Sequence, residues 1–212
     1  PGFTAISLLA PDGVTLAIKP KRKGDDRLLE LADHLHIAAV GCSADLVVME
    51  GLFGVYQGEA ARIIPMLHGA LRLELKRLRV PYVVLNPTTL KRFATGKTSA
   101  SKTDMAMAAF KRLGREYGTD DECDADWLRV AGCFVYKGCG PIGPDGRYLM
   151  LPRVQVQALF KTLGSKPKPI EWPVVGGHWP RPEVVLRSVV AHAPGRVVLC
   201  EGCKAAGRTV CA

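Results

Sequence analysis

Asp45-Leu46-Val47-Val48-Met49-Glu50 decides the architecture. A run this short and this apolar predicts a strand covered on both faces, the kind that parallel sheets use. Its acid, Glu50, falls at the C-terminal end, and Gly51, Gly54 and Gly58 mark a loop beyond it. Over 59–79 the apolar positions Ile63, Ile64, Leu67, Leu71, Leu75 and Leu78 predict a long amphipathic helix, with Pro65 in its first two turns. Pro81 then introduces a second apolar run, Tyr82-Val83-Val84-Leu85, closed by Asn86-Pro87. Upstream, apolar stretches at 3–9 and 14–18 flank Pro11-Asp12-Gly13 and predict a hairpin. A helix started by Asp25 or Asp26 follows, with Leu28, Leu29, Leu31, Leu35, Ile37 and Val40 as its apolar face. Downstream, Thr88 and Thr89 cap a short helix to Phe93, Ser99 or Ser101 opens a helix over 102–117, and an acidic stretch opens a last one over 124–136. The order predicts an α/β domain with a mixed sheet, antiparallel at its start and parallel after. In such sheets sites form beyond the C-terminal ends of strands, which is where Glu50 lies.

After Gly138 the texture changes to Gly-Cys-Gly-Pro-Ile-Gly-Pro-Asp-Gly, and the one further helical pattern is 153–163. The expected division is a core over 1–140 and a basic, Pro/Gly-rich C-terminal appendage over 141–212. The chain has 212 residues, 48% hydrophobic and 23% charged, enough for a real core and unlike disordered, collagenous or coiled-coil sequences. No apolar run reaches the roughly eighteen residues of a membrane span. Seven cysteines, an odd number with no secretory signal before them, fit a reduced cytoplasmic protein better than a disulfide framework.

The net charge of +9 points to a polyanionic partner, and its distribution says more. From Arg62 to Arg115 twelve Lys/Arg face two acids, whereas 116–126 holds six acids and no base. A phosphate-holding stretch followed by a metal-holding knot is what a nuclease requires, although charge runs are also ordinary solvated faces. A carboxylate at the end of a buried strand, Glu50, is costly unless solvated, paired or bound to metal. In the knot, Asp121 and Asp124 stand at i and i+3, neighbours on a helix that can converge on one ion. Acids at a helix start also answer the helix dipole, so capping is the competing explanation.

Lys91-Arg92-Phe93-Ala94-Thr95-Gly96-Lys97-Thr98-Ser99-Ala100-Ser101-Lys102 ends like a nucleotide-binding P-loop, but Lys91 stands where that motif needs its first glycine. What remains is a loop of small and hydroxyl residues between basic ones, entering a helix N-terminus: Lys91, Arg92, Lys97 and Lys102 are candidate DNA contacts. In the tail, Cys200, Cys203, Cys211 and His192 are a candidate zinc set, with a small reduced tail as the alternative.

Together, Glu50-Gly-Leu-Phe53, then Asn86-Pro87-Thr88-Thr89-Leu90-Lys91 through Gly96 to Ala100-Ser101-Lys102, then Asp121-x-x-Asp124-Ala125, resemble the RuvC-type Holliday junction resolvases of the RNase H-like nuclease superfamily. Pro1-Gly2-Phe3-Thr4 looks like the tail of that family's first strand motif. The resemblance spans about residues 1–136 and implies an RNase H-like mixed sheet flanked by helices. It implies Glu50, Asp121 and Asp124 as catalytic carboxylates holding Mg²⁺ (Mn²⁺ as a substitute), in a two-ion site with the ions roughly 4 Å apart. It implies Lys91 and Lys102 at the phosphates near the scissile bond, and Phe53 as an aromatic that stacks on junction bases, where a core aromatic is the plain alternative. The family's first catalytic Asp belongs just before Pro1, so the expectation is a chain cut inside its first strand. The implied activity is metal-dependent resolution of four-way DNA junctions by a homodimer in the cytoplasm of a bacterium or phage-infected cell. The alternatives are a nuclease for flaps, forks or hybrids, and a junction-binding module without activity. The 59–79 helix is a candidate for the two-fold contact, or simply a cover for the sheet.

Overall fold

An antiparallel pair and a parallel pair of strands both form in the computed structural model, which describes residues 4–7, 15–42, 44–52, 57–137, 140–142 and 147–163. Thr4–Ser7 (β1) runs antiparallel to Thr15–Ile18 (β2), with Thr4 opposite Ile18. After the helix Gly24–Gly41 (α1) comes Val47–Glu50 (β3), then Glu59–Arg77 (α2) and Tyr82–Leu85 (β4). β3 and β4 are parallel, Val47 opposite Tyr82 and Glu50 opposite Leu85. The α/β class is therefore as expected. The sheet differs in one respect: among the described residues the strands form two separate two-stranded ladders, not one mixed sheet. Pro87–Thr95 (α3), Lys102–Leu113 (α4), Asp120–Lys137 (α5) and Arg153–Leu163 (α6) complete the order, and α5 lies against β1, β2 and β3.

Strand side chains alternate between faces, so the β3–β4 ladder carries two cores. On one face Met49 packs with Leu35 of α1 and Leu75 of α2, with Val47, Tyr82 and Val84 alongside. On the other, Val83 and Leu85 join Leu90 and Phe93 of α3, Met105 of α4, and Trp127 and Phe134 of α5. Phe93 meets Trp127 and Phe134 edge-on, at ring centroids 6.1 and 5.6 Å apart. The α2 stripe is used here: Leu67 and Leu75 are buried and Leu71 packs against the smaller core, so it covers the sheet. α1 buries Leu31, Ala32, Leu35 and Ala39. Leu29, Ile37 and Val40 lie off that line and stay exposed, because a helix presents one face of limited width to a core.

Helix ends differ from expectation for local reasons. Asn86, not Thr88 or Thr89, caps α3: its side chain accepts the Thr88 N–H at 2.8 Å, and Pro87 fills the first turn. Ser101 and Asp104 form a reciprocal capping box on α4. α4 stops at Leu113, short of 117, where Gly114 turns left-handed at φ 65°. α6 belongs to the main core through Val156, Leu159 and Phe160, so that core runs past residue 140. Arg112 Nη1 ties three helices by donating to Ala94 O at 2.9 Å and to Gln155 Oε1 at 2.8 Å.

The distance between α5 and β3 is set by Gly132, where an added Cβ would stand 3.0 Å from Val48 Cγ2. Gly132→Val should push the helix off the strand and cost about 1–3 kcal/mol, read as a lower urea midpoint. An unchanged midpoint would mean that Val48 yields freely.

Candidate metal and nucleic-acid site

Glu50 ends β3, and the chain leaves it by pressing close to β4. Gly51 N–H donates to Leu85 O at 2.6 Å, and a Cβ at Gly51 would lie 3.1 Å from that oxygen. Glycine therefore permits the exit that holds Glu50 at the strand end. Opposite it, α5 begins at Asp120, earlier than expected, because Thr119 and Glu122 cap each other. The Glu122 N–H lies 3.2 Å from Thr119 Oγ1, and the Thr119 N–H donates to Glu122 Oε2 at 2.9 Å. That start places Asp121 and Asp124 on adjoining turns of one helical face.

The carboxylates share a field. Glu50 keeps solvent contact at the strand end, yet the protein around it, then the charges of Asp124 and Asp121, push its carboxyl up to about 7, with Lys91 opposing. Burial, then Asp120 and Asp121, raise Asp124 to about 6, against Lys91 and Lys102. So Glu50 and Asp124 each lie within the field of Asp121, with Lys91 from α3 acting on both carboxyls and Lys102 from the start of α4 acting on that of Asp124. Arg92 and Lys97 are exposed at the end of α3 and on the loop after it. Phe53, His192, Cys200, Cys203 and Cys211 lie outside the described residues, as does the Pro11-Asp12-Gly13 turn.

The acidic knot divides into different tasks. Glu122 caps, and Asp120 Oδ2 holds Lys102 Nζ at 2.6 Å. Asp126 is fully buried, ion-paired to Arg129 and Arg115 and accepting a hydrogen bond from the Tyr117 hydroxyl. Glu116 is exposed, and Asp121 and Asp124 are the two acids whose charges act on Glu50. Sequence reading missed Asp120, Asp126, Arg115 and Arg129. The one available signal was the i, i+3 spacing of Asp126 and Arg129. Cys123 is buried and its thiol is pushed up to about 12, first by burial and then by Asp124, Asp126 and Asp120, so it offers no thiolate.

Carboxylate oxygens suit a hard divalent cation such as Mg²⁺ or Mn²⁺, and mutual repulsion among them is what such a cation relieves. Among the described residues no group of three or more His, Cys, Asp or Glu is already gathered to ligand distance. The set therefore fits an ion in chemistry and in charge, without a closed cage.

The raised values have a consequence for stability. Glu50 and Asp124 start from ordinary values of 4.5 and 3.8, so between those and about 7 and 6 the folded state holds the extra protons. Stability from these groups is fullest at low pH and is lost as pH rises through that window. In metal-free buffer the melting temperature should fall between about pH 4.5 and 7.5, and Mg²⁺ should restore part of it at the upper end. Asp124→Asn should flatten the decline. A wild-type profile that rises across the window would contradict the shared field.

Over 88 residues the chain is 30% identical to the crossover junction endodeoxyribonuclease RuvC of a Nitratiruptor species, a match covering 42% of this chain and 56% of that protein. It thus spans little more than half the length of that curated relative, and the resemblance to RuvC-type resolvases is borne out at that level. Two solved structures of Thermus thermophilus RuvC align at 19% identity. One, a structure of that RuvC, has a TM-score of 0.47 and covers 55% of this chain and 71% of its own. The other, in complex with a Holliday junction substrate, has a TM-score of 0.48 and covers 55% and 72%. No family model matches the chain. No helix among the described residues is long and apolar enough to cross a membrane.

Proposed function

We propose that this chain carries the core of a divalent-metal-dependent endonuclease with an RNase H-like fold, which resolves four-way DNA junctions in the cytoplasm as a homodimer. The observation that carries the reading is the electrostatic field shared by Glu50, Asp121 and Asp124, on which Lys91 and Lys102 also act. The similarity to a crossover junction endodeoxyribonuclease supports it.

In this reading Glu50, Asp121 and Asp124 would hold the metal, and Glu50 and Asp124, whose carboxyls are raised, would give up protons to do so. A divalent ion held there would supply an activated water and neutralise charge on the leaving oxygen. Lys91 and Lys102 bind the phosphodiester and hold it against the carboxylates. Arg92 and Lys97 extend the grip along the backbone, and the loop between Gly96 and Ser101 lets a phosphate approach the start of α4. Most of these contacts go to phosphate, so shape rather than base sequence selects the substrate.

The test is cleavage of synthetic junctions, forks, flaps and RNA–DNA hybrids by protein carrying an Asp before Pro1, with Mg²⁺ or Mn²⁺. Preferential cutting of the junction is the expected result. Faster cutting of forks, flaps or hybrids moves the substrate, and binding without any cutting leaves a junction-recognition module. Sedimentation of the free protein decides the dimer.

A further inference from the structure

We propose that Asp120 is a working residue of the DNA site: its carboxylate takes the place of a backbone phosphate on Lys102 and is displaced when DNA binds. The inference rests on the nuclease reading, because it needs Lys102 to face DNA.

Lys102 opens α4, and its Nζ reaches across to the first residue of α5, where Asp120 Oδ2 lies 2.6 Å away. The two residues are 18 apart in sequence, so packing of α4 against α5 brings them together. Neither helix needs this pair for its own end. Ser101 and Asp104 cap α4, and Thr119 and Glu122 cap α5. Lys102 also sits at the positive end of a helix dipole, a poor place for a cation unless an anion accompanies it. Asp120 is that anion in the free protein, and a phosphodiester offers the same two-oxygen, negatively charged face. The exchange is open to solvent: the Lys102 side chain is 77% exposed and that of Asp120 48%. An exposed pair of this kind is weak enough for a phosphate to replace.

Asp120 therefore sets how strongly the site holds DNA. With Asp120 present, Lys102 trades one anion for another, and the carboxylate left behind is not rewarded. Removing that charge releases Lys102 for phosphate.

The experiment is titration of a fluorescently labelled four-way junction by anisotropy, in EDTA at fixed ionic strength. The proteins are the full chain, Asp120→Asn, Lys102→Gln, the double variant and Glu116→Gln, an exposed acid just ahead of α5. Asp120→Asn should bind roughly threefold to fivefold more tightly. In the Lys102→Gln background the same change should give less than about a twofold gain, as should Glu116→Gln alone. An equal gain with and without Lys102 overturns the proposal, since Asp120 would then act only by repelling DNA at large. Weaker binding by Asp120→Asn also overturns it, since Asp120 would be holding Lys102 in place for DNA. If no protein, wild type included, binds the junction at low salt, the nuclease reading itself fails.

Discussion

If the proposed nuclease reading holds, changing Glu50 to Gln should slow junction cleavage by about 100-fold to 1,000-fold, because losing one oxygen proposed to hold metal is worth several kcal/mol and each 1.4 kcal/mol is tenfold in rate. The substitution keeps the shape of the side chain and removes the charge, so β3 and its pairing with β4 have no reason to move. Binding should be unimpaired or slightly tighter, since a negative charge leaves a site that meets phosphate. The same change should raise the melting temperature of metal-free protein near pH 8, where the ionised Glu50 is repelled by Asp124 and Asp121. Loss of cleavage with gain of stability is the mark of a residue kept for chemistry at a structural cost. Unchanged cleavage would make Glu50 a side chain that merely emerges into the loop after its strand.

What was legible in the sequence was whatever one stretch of chain determines. The apolar runs at 46–49 and 82–85 declared themselves as strands because a short unbroken apolar run suits a strand covered on both faces. The position of Glu50 followed from the end of the first run, and the shared face of Asp121 and Asp124 followed from their spacing. The resemblance to resolvases gathered these residues with Lys91 and Lys102, and in the structure Glu50 feels the charges of Asp124, Asp121 and Lys91 while Asp124 feels those of Asp120, Asp121, Lys91 and Lys102. What was hidden depends on pairs far apart in sequence. Arg112 and Gln155 are 43 residues apart and meet only because α6 packs beside α3. Composition made the segment holding α6 look like an appendage, yet its apolar face fills the main core. The acidic knot was read as one feature. Its members could be sorted into capping, ion pairing, burial and the field at Glu50 only once their partners were known.

Asp126→Ala should be the most destabilising of the single changes considered, costing about 3–5 kcal/mol because it leaves a buried charge without its counter-ion. Asp126 is fully buried, and the Arg129 side chain paired with it is only 7% exposed. Against a domain stability of roughly 5–15 kcal/mol this is a large fraction, and urea unfolding should show it directly. The double change Asp126→Leu with Arg129→Met should recover much of the loss, since apolar replacement of a whole buried pair is often neutral. The effect should also reach Asp124, two residues before Asp126 on α5. Arg115 and Tyr117 lie in the segment leading into α5, and their bonds to Asp126 fix that segment against the turn that follows Asp124. At temperatures where the single variant remains folded, cleavage should therefore fall while junction binding, proposed above to rest on Lys91 and Lys102, falls less. A cost below about 1 kcal/mol would mean that Arg129 finds solvent when its partner is gone, as exposed pairs do.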